Sequence, residues 1–207
     1  MTTPPEAAEE KDRRDGWLPG ARHCPSPNHG ARPDQAHVDL IVIHSISLPP
    51  GEYGGPEVEQ LFCNTLDWKA HPYFEQIRGA EVSAHFFIRR DGELVQFVDV
   101  DARAWHAGVS HWQGRDHRND DSIGIELEGL EGDTFESAQY RTLVRLCTEL
   151  ARRYPVAQIA GHEHIAPQRK QDPGPGFDWT RLRRELRWVH ACFPECIPSD
   201  ERTTQQA

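Results

Sequence analysis

The sequence predicts an α/β fold in a single domain, with a mixed central β-sheet flanked by helices. Short apolar, β-branched runs alternate along the chain with segments of helical periodicity, and an Asp-Gly turn separates two of the strand-like runs. Interspersed strands and helices with at least one hairpin favour a mixed sheet over a doubly wound parallel one. The 207 residues suit one domain and are enough to bury a core.

Short apolar runs predict strands over residues 37–43, 83–89, 93–98 and 122–128. The first is rich in β-branched residues and ends immediately before His44, which we expect at the end of a buried strand. Arg90-Asp91-Gly92 between the second and third runs is typical of a hairpin. In the last run Glu126 and Glu128 should point to one side of the sheet, and the three apolar residues to the other.

Residues 134–154 form the clearest predicted helix, with Thr134 or Asp133 as its cap and Pro155 ending it. Its apolar face comprises Leu143, Cys147, Leu150 and Tyr154. A short helix should begin at Pro56 and bury Val58, Leu61, Phe62 and Thr65. A last helix, capped by Asp178, should bury Trp179, Leu182, Leu186 and Val189.

The composition excludes some functions. The net charge of −10 argues against a nucleic-acid partner, which would need a basic patch. No apolar run approaches the roughly 20 residues of a membrane span. The first residues do not resemble a secretory signal, so we expect a cytoplasmic protein, and a monomer. Residues 1–15 and 199–207 are expected to be disordered tails around a domain over 16–198.

A proline- and glycine-rich segment over residues 161–179 contains His162, His164 and Asp172. A histidine and an aspartate on such a stiff loop, with His44 from the strand, can supply three ligands to one zinc ion. Three protein ligands leave a fourth position for water, which is the catalytic pattern. Taken singly, each histidine could be an ordinary polar residue; the combination with Asp172 favours a metal site.

Other residues could belong to the same site, either in the hydrolysis itself or in the wall that binds the substrate. Glu126 could act as a general base, although a solvated outer-face carboxylate is the alternative, and for Glu128 we favour that alternative. Lys170 lies two residues before Asp172 and could stabilise an oxyanion, or be a surface lysine. Trp105 could form the wall of a sugar or peptide site, or belong to the core.

Several ordered segments resemble the zinc-dependent N-acetylmuramoyl-L-alanine amidases of the type-2 amidase family, and most closely their cytosolic AmpD type, which acts on 1,6-anhydro-muramoyl peptides. They include Trp105-His-Ala-Gly108 and Lys170-Gln-Asp-Pro-Gly-Pro175. The matching segments are residues 43–56, 71–74, 82–85, 90–93, 103–110, 119–129, 161–167 and 170–175. The resemblance spans about residues 16–190 and implies a peptidoglycan-recognition-like fold.

The resemblance implies a zinc ion bound by His44, His162 and Asp172, with His164 outside the ligand set. It further implies that Glu126 is the general base and that Lys170 acts on the oxyanion side.

The resemblance also implies that Tyr73 and Trp105 line a substrate cleft. Three positions depart from the family pattern. Ser45 stands where related chains often carry Asn, and Glu81 and His117 stand where they often carry basic residues. All three positions would face the substrate, so they bear on specificity.

The implied reaction is hydrolysis of the amide between (1,6-anhydro-)N-acetylmuramic acid and the L-alanine of the stem peptide, with a muropeptide as substrate. This would serve cell-wall recycling and lower β-lactamase induction by removing a muropeptide signal. One alternative is an amidase for intact peptidoglycan, which would require export. Another is a non-catalytic peptidoglycan-recognition module, which would typically lack a zinc ligand.

Overall fold

The structure is a computed structural model that describes residues 16–188 and 191–194. The strands are β1 (Arg22–His23), β2 (His29–Ala31), β3 (Leu40–Ile46), β4 (Phe86–Ile88), β5 (Leu94–Gln96), β6 (Ala102–Ala104), β7 (His111–Trp112), β8 (Arg115–Asp116), β9 (Ser122–Glu128) and β10 (Gln158–Gly161). The helices are α1 (Glu57–Phe62), α2 (Pro72–Gln76), α3 (Ser137–Arg153), α4 (His162–Ile165) and α5 (Trp179–Leu186). The predicted tails and Val189 lie outside the described residues.

The main sheet has the strand order β1-β5-β4-β9-β3-β10. Strands β4, β9, β3 and β10 run parallel to one another, whereas β5 is antiparallel to β4. This mixed sheet with flanking helices confirms the predicted fold class. The hairpin is confirmed as well: Gly92, at φ 92°, turns the chain between β4 and β5 and donates its N–H to Arg89 O at 2.8 Å.

Strand β3 passes through the centre of the sheet and is buried on both faces. Ile41 and Ile43 pack into the core against α3, and Leu40 and Val42 pack into a second cluster on the opposite face. Because side chains alternate along a strand, His44 lies on the face of Leu40 and Val42. The predicted end of this strand was wrong: β3 continues to Ile46, so His44 lies inside it.

Strand β9 has the predicted bounds, Ser122–Glu128. As predicted, Ile123, Ile125 and Leu127 pack into the core under α3 and α5. Gly124 and Glu126 therefore face the other side of the sheet, which is also the side of His44.

Helix α3 covers one face of the sheet, and its predicted apolar residues Leu143, Cys147, Leu150 and Tyr154 are buried. The predicted cap was wrong. Glu136 caps the helix and forms a capping box with Gln139, which satisfies two backbone N–H groups reciprocally. Gln139 also donates to Ile88 O and Glu128 O, at 3.2 and 3.0 Å, and so fixes where the helix begins.

The shorter helices follow the predicted pattern. Helix α1 begins after Pro56 and buries Val58, Leu61 and Phe62, whereas Thr65 lies beyond its end and is exposed. At α5, Asp178 Oδ1 accepts a hydrogen bond from Arg181 N at 2.8 Å, and Leu182 and Leu186 are buried. Across the described chain, no helix has both the length and the apolar character needed to cross a bilayer.

Candidate metal centre and its cleft

Parallel strand pairing brings distant residues together at one edge of the sheet. Along β3 and β9, His44 is the register partner of Glu126. On the other side of β3, Ile43 is the partner of Gly161, the last residue of β10. His162 follows Gly161 directly, so it emerges beside His44. The carboxyl ends of parallel strands thus place three polar side chains in one location.

Three side-chain atoms form a tight triangle at this edge. Nδ1 of His44 lies 3.0 Å from Nδ1 of His162, and each nitrogen lies 3.1 Å from Oδ2 of Asp172. Ligand atoms bound tetrahedrally to a metal at about 2.0–2.2 Å lie about 3.3 Å apart. The triangle is close to that size, and all three residues are buried, so they could hold a metal ion.

A backbone hydrogen bond at α4 positions Asp172 in the triangle. Glu163 N donates to the carbonyl oxygen of Asp172 at 2.9 Å, which ties the loop back to the helix that begins at His162. His164 does not join the triangle: its Nδ1 accepts from Gly161 N at 2.9 Å. The structure therefore brings His162, and not His164, to Asp172.

Burial controls the charge of His44. Removal from water, followed by the nearby His162, lowers the pKa of His44 to about 4. The imidazole is therefore neutral at physiological pH, which is the form that binds metals.

Glu126 presents an unused carboxylate to the same location. Its Oε1 lies 4.0 Å from Nδ1 of His44, and its buried Oε2 has no hydrogen-bond partner among the described residues. Burial, and then the charge of Asp172, raise the pKa of Glu126 well above its usual value. A buried carboxylate with a free oxygen and a raised proton affinity can accept a proton from a water in the cleft.

Glu128 differs from its expected place on a solvated outer face. It is 4% exposed, its Oε1 accepts from Gly54 N at 2.5 Å, and its Oε2 accepts from Arg90 N at 2.9 Å. The expectation was wrong because the loop after β3 and the β4–β5 hairpin fold over this end of β9. Glu128 therefore holds two backbone segments together.

A cleft of about 310 Å³ opens over the triangle and Glu126. Tyr73, Trp105, Ser45 and Lys170 line it together with the triangle. Trp105 and Tyr73 are half-buried, so neither is a core residue, and Lys170 is exposed at the rim. The Oγ atom of Ser45 is buried and has no hydrogen-bond partner among the described residues.

The two remaining departures from the family pattern lie away from the cleft walls. Glu81 and His117 are exposed, and neither is among the described residues that line the cleft. Glu81 is nearer, since its neighbours Ala80 and Val82 do line it. The expectation that both positions face substrate is therefore weakest for His117.

Sequence reasoning missed one residue that contacts the triangle and one that lines the cleft. Nδ1 of His106 lies 3.0 Å from Nε2 of His44, and burial lowers the pKa of His106 well below its usual value, so this ring is neutral. Only its neighbour Trp105 was interpreted from the sequence, as a possible wall residue. Glu131 lines the cleft as well, but an exposed acid after a strand carries no recognisable signal.

A His–His–Asp group beside a buried glutamate, in a cleft at the ends of parallel strands, indicates a metal-dependent hydrolase. Residues 34–175 match the N-acetylmuramoyl-L-alanine amidase family, and the chain belongs to it.

Comparison with known relatives shows which members of the amidase family the chain resembles. Over 171 residues the chain is 54% identical to the 1,6-anhydro-N-acetylmuramyl-L-alanine amidase AmpD of Citrobacter freundii, covering 82% of this chain and 91% of that protein. The crystal structure of a selenomethionine AmpD derivative superposes with a TM-score of 0.82 at 54% identity, over 84% of this chain and 98% of the other.

A more distant neighbour contains a ligand. It is the amidase AmiD from Escherichia coli in complex with the substrate anhydro-N-acetylmuramic acid-L-Ala-D-γ-Glu-L-Lys. Its TM-score is 0.52 at 28% identity, over 74% of this chain and 60% of that one.

Proposed function

We propose that this chain is a zinc-dependent amidase that hydrolyses the bond between 1,6-anhydro-N-acetylmuramic acid and the L-alanine of a muropeptide. The observation that carries the proposal is the buried triangle of His44, His162 and Asp172. Beside it lies Glu126, whose buried Oε2 has no hydrogen-bond partner among the described residues. Membership of the amidase family and 54% identity to an enzyme named for this bond support the substrate.

The chemistry of the donor set fits zinc. Two imidazole nitrogens and one carboxylate oxygen suit zinc, and three protein ligands leave a position open for a catalytic role. A bound zinc ion would supply Lewis acidity to a water molecule and to the scissile carbonyl. The buried setting of all three residues would exclude competing bulk water.

Glu126 moves the protons in the proposed mechanism. Its carboxylate takes a proton from the attacking water as the new C–O bond forms at the amide carbon. As the C–N bond breaks, Glu126 gives that proton to the leaving amine of L-alanine. The raised pKa of this carboxyl matches both halves of the cycle, because a stronger base accepts the proton more readily and still releases it to an amine.

Residues at the cleft wall orient the substrate and stabilise charge. The exposed ammonium of Lys170 at the rim would act on the negative charge that develops on the carbonyl oxygen. Tyr73 and Trp105 offer flat apolar surfaces with a polar edge, which suit the faces of a sugar and the stem peptide. Ser45 forms part of the cleft wall, and its hydroxyl has no hydrogen-bond partner among the described residues.

The proposed biological setting is cytoplasmic cell-wall recycling, in which cleavage of the muropeptide lowers β-lactamase induction. The ligand of the AmiD complex supports a muropeptide substrate. A purely recognising module is disfavoured because this chain keeps a complete metal-binding triangle and a candidate base.

The test combines metal analysis with a mass-spectrometric assay. Purified protein should hold about one zinc per chain, since one three-ligand site is available. A chelator should abolish release of the free stem peptide from anhydro-muropeptides, and added zinc should restore it. Intact peptidoglycan, assayed in parallel, should be cleaved far more slowly. Full activity of a verified metal-free sample would overturn the proposal, and a preference for intact polymer would overturn its substrate.

A further inference from the structure

Each histidine of the triangle directs Nδ1 to Asp172 and Nε2 to a contact outside the site. A ring nitrogen binds a metal only through a lone pair, so in the neutral ring the proton must lie on the other nitrogen. The site is therefore ready for a metal only if both His44 and His162 carry their proton on Nε2. The partners of the two Nε2 atoms decide this.

For His162 the partner is a backbone carbonyl. Nε2 of His162 lies 3.2 Å from Ala107 O, a carbonyl oxygen that can only accept, so this contact favours the proton on Nε2. The carboxylate of Asp172, 3.1 Å from Nδ1 of both His44 and His162, also accepts and opposes this form until a metal ion takes the Nδ1 lone pairs. Arg169 Nη2 lies 3.4 Å from the same nitrogen, but its two protons have closer acceptors in Ala107 O at 2.7 Å and Val109 O at 2.6 Å. With a metal ion in the triangle, the lone pair of His162 would thus be on Nδ1 and its proton would be accepted by Ala107 O.

For His44 the partner is His106, at 3.0 Å. Which of the two rings donates in this contact depends on the hydrogen bond that His106 makes with its other nitrogen. Nε2 of His106 lies 3.2 Å from Ser122 Oγ, which in turn contacts the carbonyl oxygen of Arg118. That carbonyl can only accept, so it takes the single hydroxyl proton of Ser122. Ser122 Oγ must then accept from Nε2–H of His106.

This leaves the lone pair of His106 on Nδ1. Nε2–H of His44 donates to it, and Nδ1 of His44 keeps the lone pair that a metal needs. Two backbone carbonyls, of Ala107 and Arg118, thus favour in three imidazole rings the proton positions that metal binding requires.

The backbone holds this network rigidly. A Cβ on Gly124 would lie 2.4 Å from Cγ of His106, so the ring rests directly on strand β9. On the other side, the N–H groups of His106 and Ala107 both donate to Asn119 Oδ1, at 3.1 and 2.7 Å. Neither His106 nor Ala107 can move away without losing these contacts.

We infer that Ser122 and His106 are positioning residues that hold His44 in its metal-binding tautomer, while the carbonyl of Ala107 does the same for His162. This inference rests on the proposed metal site. Ser122 contacts none of the triangle residues. The inference nevertheless predicts that it affects metal affinity, through the hydrogen bond between Ser122 and His106 and the one between His106 and His44.

The first test reads the proton positions in the zinc-loaded protein, in which the metal would occupy the Nδ1 lone pairs of the two ligands. In ¹⁵N-labelled, zinc-loaded protein, long-range histidine spectra should show the Nε2–H form for His44, His106 and His162, and His106, which is not a ligand, is the informative ring. An Nδ1–H form for any of the three would overturn the inference.

The second test measures zinc affinity by competition with a chelator in Ser122→Ala. Without the hydroxyl, His106 can place its proton on Nδ1, and His44 must then respond with its own proton on Nδ1. We expect the dissociation constant for zinc to rise about 10-fold, as when an outer partner of a metal ligand is removed. Ser26→Ala is the matched control, since it removes another buried hydroxyl that donates to a carbonyl, Phe62 O, at 2.5 Å.

A pair of His106 variants keeps the inference testable if Ser122→Ala does not fold. His106→Asn retains an acceptor oxygen near the place of Nδ1, whereas His106→Leu removes it. Zinc should therefore bind more tightly to the Asn variant. Equal affinity in the two, or an unchanged affinity in folded Ser122→Ala, would overturn the inference. Absence of zinc binding by the parent protein would overturn the proposed function instead, whereas normal zinc binding by the parent with the wrong response of the variants would overturn only the inference.

Discussion

Nδ1 of His44 lies 4.0 Å from Oε1 of Glu126, across two parallel strands in which these residues are register partners. The distance exceeds that of a hydrogen bond, so the carboxylate lies close to the triangle of His44, His162 and Asp172 without forming a hydrogen bond to it. Because backbone hydrogen bonds fix the register, this spacing is a property of the sheet and not of a mobile loop. If Glu126 is the general base, a change of its carboxylate to an amide should alter the rate without moving the neighbouring residues.

Glu126→Gln should keep zinc and lose most turnover. The amide has nearly the size of the carboxylate, so the triangle should be undisturbed, but it cannot accept a proton from water. General-base catalysis is typically worth about 10²–10⁴-fold, and kcat should fall by that factor. Zinc content and steady-state rates check this. A variant with normal kcat would show that another group is the base, and loss of zinc would show that Glu126 belongs to the ligand set.

Glu128→Ala should destabilise the protein instead. It removes the acceptor of two backbone N–H groups, those of Gly54 and Arg90. Hydrogen bonds to a charged group contribute about 1.5–3 kcal/mol. Because Gly54 is exposed and Arg90 is half-buried, water can replace part of what is lost, so the free energy of unfolding should fall by about 1–3 kcal/mol. Denaturant titration measures it, with Glu128→Gln, which keeps one acceptor oxygen, as the milder control. Unchanged stability would mean that these two contacts are not maintained in solution.

A comparison of the predicted and observed elements shows which strand and helix boundaries can be predicted from the local sequence. The bounds of β9 were predicted correctly because its apolar residues alternate over the whole strand. The end of β3 was not, because His44 is polar and its place in the strand depends on pairing with Glu126 across the sheet. The cap of α3 was missed because Gln139 also bonds to strands β4 and β9, which only the folded chain brings near.

The same limit applies to the site. The residue types of His44, His162 and Asp172 were enough to suggest a metal, and the structure places their atoms together. The contact between His44 and His106 joins residues 62 apart in sequence, and no local pattern encodes it. The role of Glu128 was misjudged for a similar reason, since its partners come from two loops that follow other strands.

Glu59 should make stability depend on acid pH. It binds Arg22 at 2.7 Å and Arg89 at 2.5 Å, joining α1 to β1 and to the hairpin. The hydrogen bond from Arg22, reinforced by that from Arg89, lowers the pKa of Glu59 from 4.5 to about 2. A lowered pKa in the folded state contributes stability above pH 4.5, which is lost as the pH falls towards 2.

Glu59→Gln should therefore lower Tm at neutral pH, and its difference from the parent should shrink between pH 4.5 and 2. Thermal unfolding at matched metal content measures this. Glu57→Gln, on the same helix, is the control for a lost helical carboxylate. A Tm difference that stays constant over this pH range would contradict the ion-pair explanation.

Two neighbours on one loop give the sharpest separation of roles. Asp172 supplies a triangle atom from a buried position, whereas Lys170 is exposed at the rim of the cleft. Asp172→Ala should remove zinc and activity together, because two imidazoles alone form a weak site.

Lys170→Ala should keep zinc and lose mainly kcat, by roughly 10²–10³-fold, as for other groups that stabilise an oxyanion. A cation next to a metal is unfavourable in the resting site and helps most once negative charge develops on the substrate, so KM should change less than kcat. Metal analysis and steady-state kinetics on both variants measure the difference, with Lys69→Ala as a matched surface-lysine control. If Lys170→Ala lost its zinc, or kept a normal kcat like Lys69→Ala, Lys170 would have no place in the mechanism.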